Sequence, residues 1–258
     1  MSVQSHATGV SCALDRIGGF ASLPDDTRET LRSFCHRRRY EAGQTVVFEG
    51  EKPPFIGCVV EGFLRMQRTM SDGRQSVVGL LVEGDTFGQV FEGPPSFTIE
   101  AATDTDIVAF QRGPFEAELQ RSPALERMML LNILNELDRA RDWLVILSSK
   151  KVTGRIAGFL LVLCSRFARV DHLLDLKGDH LDVKIPISRT DLAHLLSTRT
   201  ESISRAIHAM EDAGMLKILK PDLLRITDLE AMVAETGDDD LSSRPNLDEL
   251  IQRMRQAR

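Results

Sequence analysis

The sequence predicts an α+β chain in which an N-terminal β-roll, a long uninterrupted helix and a C-terminal helix-turn-helix domain follow one another. Three observations predict it. Short β-rich runs punctuated by glycine occupy about Ala42 to Phe110, a stretch free of Gly and Pro runs from Ala124 to Lys151, and two short amphipathic helix patterns flank the tetrad Ser197, Thr198, Arg199, Thr200. A chain of 258 residues has room for two cores, so two domains are expected.

In the first region the runs QTVVFEG, IGCVVEGFLRMQRTM, QSVVGLLVEGD and FTIEAATDTDIVAF are separated by turn residues such as Asp72-Gly73. Strands this short, with turns at intervals of roughly ten residues, suit a compact antiparallel barrel or roll. The same pattern fits a cupin-type metal enzyme, which needs several histidines and a carboxylate converging inside the barrel. His36 is the lone histidine of this region, and it opens the basic run His36 to Arg39, which reads as a solvated charged face. The chain is therefore expected not to be an enzyme.

Pro123 opens the long helix. Within it Leu130, Ile133, Leu137, Ala140, Leu144 and Leu147 keep a 3-4-3-4-3 spacing, the seam of a two-stranded coiled coil, and a homodimer follows. An amphipathic helix docked on its own domain is the alternative, and the further apolar residues Met129, Leu134 and Ile146 imply that one flank also packs. After a second helical stretch, VTGRIAGFLLVLCSRF, and a polar loop, Leu192, Leu195 and Leu196 define one short helix and Ile203, Ile207 and Met210 another. Ser188 and Asp191 form an S-x-x-D start signal for the first. Two short helices about a tight turn make a helix-turn-helix.

Net charge is −6, so no general basic coat exists, but between Lys150 and Arg205 ten Lys or Arg stand against six Asp or Glu. Neither a signal-peptide pattern nor an apolar run of membrane-spanning length is present, which predicts a cytoplasmic chain without membrane contact. Cys12, Cys35, Cys58 and Cys164 lie far apart with no C-x-x-C pair, so no disulfide framework or zinc ribbon is expected. Cys58 and Cys164 sit in apolar runs and read as packing thiols; Cys12 and Cys35 are left as candidates for redox response.

Taken in order, the phrases AGQTVVFEGE, VVEGFLRM, DGRQ, GDTFG, VTGRIAGFL and SRTDLAHLL followed by STRTESISRAI resemble the CRP/FNR family of bacterial regulators over roughly Phe34 to Thr227. The resemblance implies a cyclic-nucleotide-binding-type jelly roll, a dimerisation helix and a winged helix-turn-helix. The expected divisions are 1–33 for an N-terminal segment, 34–122 for the roll, 123–149 for the dimer helix, 150–233 for the DNA-binding domain and 234–258 for a tail with a short helix. The tail helix carries Leu247, Leu250, Ile251 and Met254 and is expected to pack on the DNA-binding domain.

The family motif E-x-x-S-R stands here as Glu201, Ser204 and Arg205, at i, i+3 and i+4, so all three project from one helix face. Their chemistry suits base edges: a guanidinium forks onto guanine, a carboxylate accepts from cytosine and a hydroxyl contacts either edge. An isolated Glu and Arg at this spacing would more simply form a solvated ion pair. The resemblance implies an inverted repeat like TTGAT-N4-ATCAA, with Arg189, Thr190, Arg199 and Thr200 touching phosphates and RNA polymerase as a further partner. Ser197 stands where many relatives have a turn glycine, and Thr198 could draw Glu201 into a capping box.

The roll departs from the family. The positions that hold a cyclic nucleotide's ribose and phosphate carry Gln89 and Pro95, so no cAMP binding is expected. A [4Fe–4S] cluster needs three thiolates near the N-terminus where Cys12 stands alone, so no cluster is expected. Relatives responsive to nitrogen oxides leave haem open, with His36 the sole roll histidine to ligate it. The regulator is expected to answer an oxygen, nitrogen-oxide or redox signal or to act without cofactor, the dimer helix relaying the change around Trp143 to Ser148. A dimeric adaptor without DNA contacts is the competing reading. It requires Glu201, Ser204 and Arg205 to face inward.

Overall fold

A computed structural model of the chain describes residues 17–70, 75–88, 95–167, 173–237 and 245–257. The chain divides into two compact units, Met1–Asp138 and Arg139–Arg258.

The first unit is built on two four-stranded antiparallel sheets. One has the order β1-β8-β3-β6, from β1 (Cys35–Tyr40), β3 (Phe55–Glu61), β6 (Thr86–Phe87) and β8 (Thr105–Gln111); the other has the order β2-β7-β4-β5, from β2 (Thr45–Val47), β4 (Leu64–Thr69), β5 (Gln75–Leu81) and β7 (Thr98–Ala101). The period-two pattern decides what each face buries. From β3 and β8, Val59, Ile107 and Ala109 join Val47, Leu64, Leu81 and Ile99 in one core, while the alternate residues Ile56, Cys58, Val108 and Phe110 enter a second. The turn between β3 and β4 needs Gly62, whose φ is +91° and where a Cβ would lie 2.4 Å from the Asp104 carbonyl oxygen.

Two helices precede the roll, α1 (Gly18–Ala21) and α2 (Asp25–Ser33), and α3 (Arg112–Arg121) follows it. The division at residue 33 expected from sequence does not hold for 17–33. Phe20 stacks on Phe110 at 5.3 Å, and Leu23 and Leu31 are buried with Phe115 and Leu125, so these helices complete the second core.

Helix α4 (Pro123–Ser148) begins as its sequence directs. Ser122 is extended and its Oγ accepts the Leu125 N–H at 3.3 Å, while proline occupies the first helical position, where no N–H is needed. Leu125, Met128, Met129 and Ile146 are buried. The predicted seam is left open to solvent: Leu130, Ile133, Leu137 and Leu144 are 56%, 59%, 46% and 70% exposed, Ala140 is exposed and Leu147 is half-buried. Of the flank expected to pack, Met129 and Ile146 are buried, and Leu134 is exposed with Leu131 and Val145.

The second unit centres on α5 (Val152–Phe167), whose residues from Ile156 to Cys164 are all buried; a helix apolar on all sides must be enclosed. Around it stand α6 (Arg189–Leu195), α7 (Thr200–Asp212), α8 (Leu229–Thr236), α9 (Pro245–Gln256) and a sheet of order β11-β12-β10-β9, from β9 (Leu174–Lys177), β10 (His180–Lys184), β11 (Leu216–Lys220) and β12 (Leu223–Ile226). Trp143 on α4 stacks on Phe159 at 6.2 Å, and a Cβ at Gly158 would meet Ile146 at 3.0 Å, so the end of α4 and α5 lie close.

The tail helix α9 packs on α5. Leu247, Leu250, Ile251 and Met254 are buried, the Asn246 amide donates to the Ser165 carbonyl at 2.7 Å, and Arg255 pairs with Glu230 of α8. Leu247→Ala should therefore lower unfolding stability by about 2–5 kcal/mol, read from denaturant melts, as for other buried leucines.

Candidate nucleic-acid interface

The helix-turn-helix is α6, the turn at residues 196–199, and α7. Ser188 caps α6 as its sequence predicts: its Oγ accepts the Asp191 N–H at 3.0 Å and donates to the Asp191 carboxylate at 2.7 Å. The helix closes with the Thr198 N–H on the Ala193 carbonyl and the Ser197 N–H on the His194 carbonyl, the paired bonds of a Schellman motif. That motif puts its C′ residue in the left-handed region, and Ser197 has φ +50°, alone among the described non-glycine residues in positive φ. A glycine would sit there without strain.

In α7, Ile203, Ala206, Ile207 and Met210 are buried, and at 100° per residue this turns Glu201, Ser204 and Arg205 outward, where all three are exposed. Glu201 and Arg205 make no ion pair with each other, and among the described residues neither has a hydrogen-bond partner. The capping-box alternative is not realised: Arg199 is the N-cap, and it has no side-chain cap bond. Ser204 donates to the Thr200 carbonyl at 3.3 Å, which leaves its oxygen lone pairs directed outward as acceptors.

The flanking residues divide. Thr190 and Arg199 are exposed and Thr200 is half-buried. Arg189, expected on phosphate, is committed elsewhere: its Nη2 donates to the Pro221 carbonyl at 2.7 Å, and burial pushes its guanidinium down from the ordinary range against the opposing pull of Asp222. It ties the start of α6 to the turn of the β11–β12 hairpin. That hairpin presents Lys217 and Lys220, both exposed and unpaired among the described residues. Sequence reading missed them, although the alternation in LKILK before Pro221-Asp222 marks such a hairpin. Asp182 of β10 holds Arg225 of β12 at 2.7 and 3.0 Å and fixes the sheet behind it.

A profile described as "Crp-like helix-turn-helix domain" matches residues 154–235, and one described as "Cyclic nucleotide-binding domain" matches 37–122. The transcriptional activator protein FnrL of Cereibacter sphaeroides is 32% identical over 236 residues, covering 91% of this chain and 93% of that protein. The chain belongs to the CRP/FNR family. Another CRP/FNR relative, the nitrogen fixation regulation protein FixK of Bradyrhizobium diazoefficiens, is 31% identical over 73% of this chain and 78% of its own length. The solved structure of FixK2 from Bradyrhizobium japonicum superposes with a TM-score of 0.68 at 24% identity, over 78% of this chain and 96% of that one, and shares the fold. As a CRP/FNR protein the chain is a DNA-binding transcriptional regulator.

The roll of this CRP/FNR protein holds an apolar cavity beside α4. A cavity of about 340 Å³ is lined by Val47, Met66, Phe87, Phe97 and Ile99, with Asn132 and Glu136 from α4, and its described lining contains no Lys or Arg. Pro95 there is buried with its carbonyl accepting the Gly50 N–H at 2.9 Å; Gln89 lies outside the described residues. A phosphate in this cavity would meet the Glu136 carboxylate and, among the described lining residues, no cation.

The thiols are packing groups where described. Burial pushes Cys35 up to about 11 and Cys164 up to about 12, and Cys58, fully buried, is raised further, so none offers a thiolate at neutral pH. Cys35 is half-buried against the second roll core, and Cys12 lies outside the described residues. His36 accepts from Arg38 at Nε2 at 2.7 Å and is held below its ordinary pKa by burial and then by that Arg, a coupled pair in place of a freely solvated run.

The pairing of Asp182 with Arg225 has a pH consequence. Hydrogen bonds from Arg225 come first in holding the carboxyl below its usual range, so the stabilisation is present above an unfolded pKa of about 3.9 and is lost as pH falls through the folded value. Asp182→Asn should cost about 1–3 kcal/mol at pH 7, and its melting temperature should converge on the parent's as pH drops below about 4.

Proposed function

We propose that the chain is a homodimeric transcriptional activator that reads an inverted repeat resembling TTGAT-N4-ATCAA through Glu201, Ser204 and Arg205. The observation that carries the reading is the outward, unpaired state of Glu201 and Arg205 on the side of α7 opposite its buried apolar row. Carboxylate, hydroxyl and guanidinium on one exposed face are the groups a major-groove helix needs. Thr190, Arg199, Thr200, Lys217 and Lys220 are positioned to serve phosphates, which fix register and carry no sequence information. Two helices related by a two-fold axis would meet half-sites whose centres lie roughly 10 bp apart. The activator reading follows FnrL, a transcriptional activator protein, and RNA polymerase is its partner on that reading.

The exposed leucines of α4 support the homodimer, since an apolar stripe of this length on a single helix calls for a covering surface. The unsuited cavity supports regulation without cAMP. The lone cysteine of the N-terminal segment, Cys12, and the engaged His36 nitrogen support action without an iron–sulfur cluster or a haem held by His36, in response to an oxygen, nitrogen-oxide or redox signal reaching another group. Absorption spectra and metal analysis of anaerobically purified protein test this directly: a Soret band or stoichiometric iron would overturn it.

A gel-shift titration against the inverted repeat and a scrambled duplex tests DNA reading. Salt-sensitive binding that favours the repeat is expected, and equal affinity for both duplexes would overturn base reading by α7. Arg205→Ala should lose about 1–3 kcal/mol on the repeat and relax discrimination at the guanine. Leu137→Asp should yield monomers by light scattering and abolish the shift; dimers that still bind would refute the seam.

A further inference from the structure

Arg155 makes three hydrogen bonds that base reading does not by itself require. Its Nε donates at 2.9 Å to the carbonyl of Ser149, the residue just past α4, and its Nη1 donates to the carbonyls of Leu196 and Ser197 at 2.9 and 3.3 Å. Among the described residues no backbone N–H uses any of these three oxygens. They are end groups: Ser149 follows the last turn of α4, while Leu196 and Ser197 are the C-cap and left-handed residue that close α6. One guanidinium therefore spans two helix C-termini, where a cation is favoured by the helix dipole and loose carbonyls need donors.

The surroundings make this a tight junction. A Cβ at Gly154 would meet Ser149 Oγ at 2.3 Å and the Glu235 carbonyl at 2.8 Å, and Thr153 donates to the Glu235 carboxylate. The turn that Arg155 grips sets the angle between α6 and α7, and it contains the strained Ser197. A planar fork holds its acceptors in fixed directions, which an ammonium on a flexible stem does not.

We infer that Arg155 is a positioning residue for DNA reading: it bolts the helix-turn-helix turn to the exit of α4 and holds the serine-bearing turn in the conformation that presents Glu201, Ser204 and Arg205. The inference rests on the base-reading role proposed for α7. It makes the end of the long helix and the attitude of the reading helix one mechanical unit, through contacts that lie wholly within residues 149–197.

The test compares the full-length parent, Arg155→Lys and Arg155→Gln, each with and without Ser197→Gly, by fluorescence anisotropy on the inverted repeat and on a scrambled duplex at one salt concentration. Loss of hydrogen bonds from a charged donor predicts at least about a tenfold weakening on the repeat for Arg155→Lys, with less than about a twofold change on the scrambled duplex. Ser197→Gly should recover most of that loss in the Arg155 variants and alter the parent by less than about twofold, because glycine takes the left-handed conformation unaided. Parental discrimination in Arg155→Lys, or an equal effect of Ser197→Gly in both backgrounds, overturns the inference. So does an equal fall on both duplexes with the melting temperature, or loss of the fold in every Arg155 variant, either of which marks a merely structural residue. A parent that cannot tell the repeat from the scrambled duplex sinks the base-reading role itself and is a distinct result.

Discussion

The interface depends on the burial of one side of α7. Ile203, Ala206, Ile207 and Met210 fill the space against α5 and α6, and each larger apolar side chain is worth about 1.5–3 kcal/mol removed from water. An exposed Glu and Arg pair at i, i+4 offers about 0.3–0.5 kcal/mol, so the apolar row decides the rotation of the helix. A slip of one residue would turn Ile203 toward water and Arg205 toward the core, where an unpaired guanidinium is far costlier than any pair it could form. The reading face is thus a consequence of packing on the other side.

Many of the cations of this chain of net charge −6 are engaged within the fold. In the roll, Arg112 is spent on the carbonyls of Pro53 and Gly88 and on Glu116, and Arg65 on Glu100. In the second unit Arg155 and Arg189 serve backbone carbonyls and Arg225 serves Asp182. Arg199, Arg205, Lys217 and Lys220 keep no such engagement among the described residues, and all four lie on the helix-turn-helix or its neighbouring hairpin. Local placement of charge governs attraction to a polyanion, and total charge has little say.

What was legible in the chain follows from which interactions leave a periodic trace. The strands of the roll, the long helix from Pro123, the Ser188 cap and the outward set on α7 all repeat with period 2 or 3.6 or occupy a local motif. The missed features involve partners remote in sequence. The place of Arg189 at a helix start is visible in the sequence, whereas the Pro221 carbonyl that takes its Nη2 is like every other carbonyl there. Residues 17–33 carry few apolar side chains, yet Phe20 and Leu31 find a core assembled from β3, β8 and α3. Leu134 fits either of two helix flanks by spacing, and only the position of the roll core separates them.

Ile133 joins two features that the sequence presents separately. Its side chain borders the roll cavity together with Asn132 and Glu136, and it is also 59% exposed in the row of leucines along α4. Were a group in the cavity to shift Ile133, a partner covering the seam would shift the cavity in return, since coupling between two sites is reciprocal. The cavity's apolar walls mean that such coupling needs differential packing and no buried charge. A signal acting there has only to favour one arrangement of α4 over another by its contacts, which is the whole requirement for shifting a conformational equilibrium.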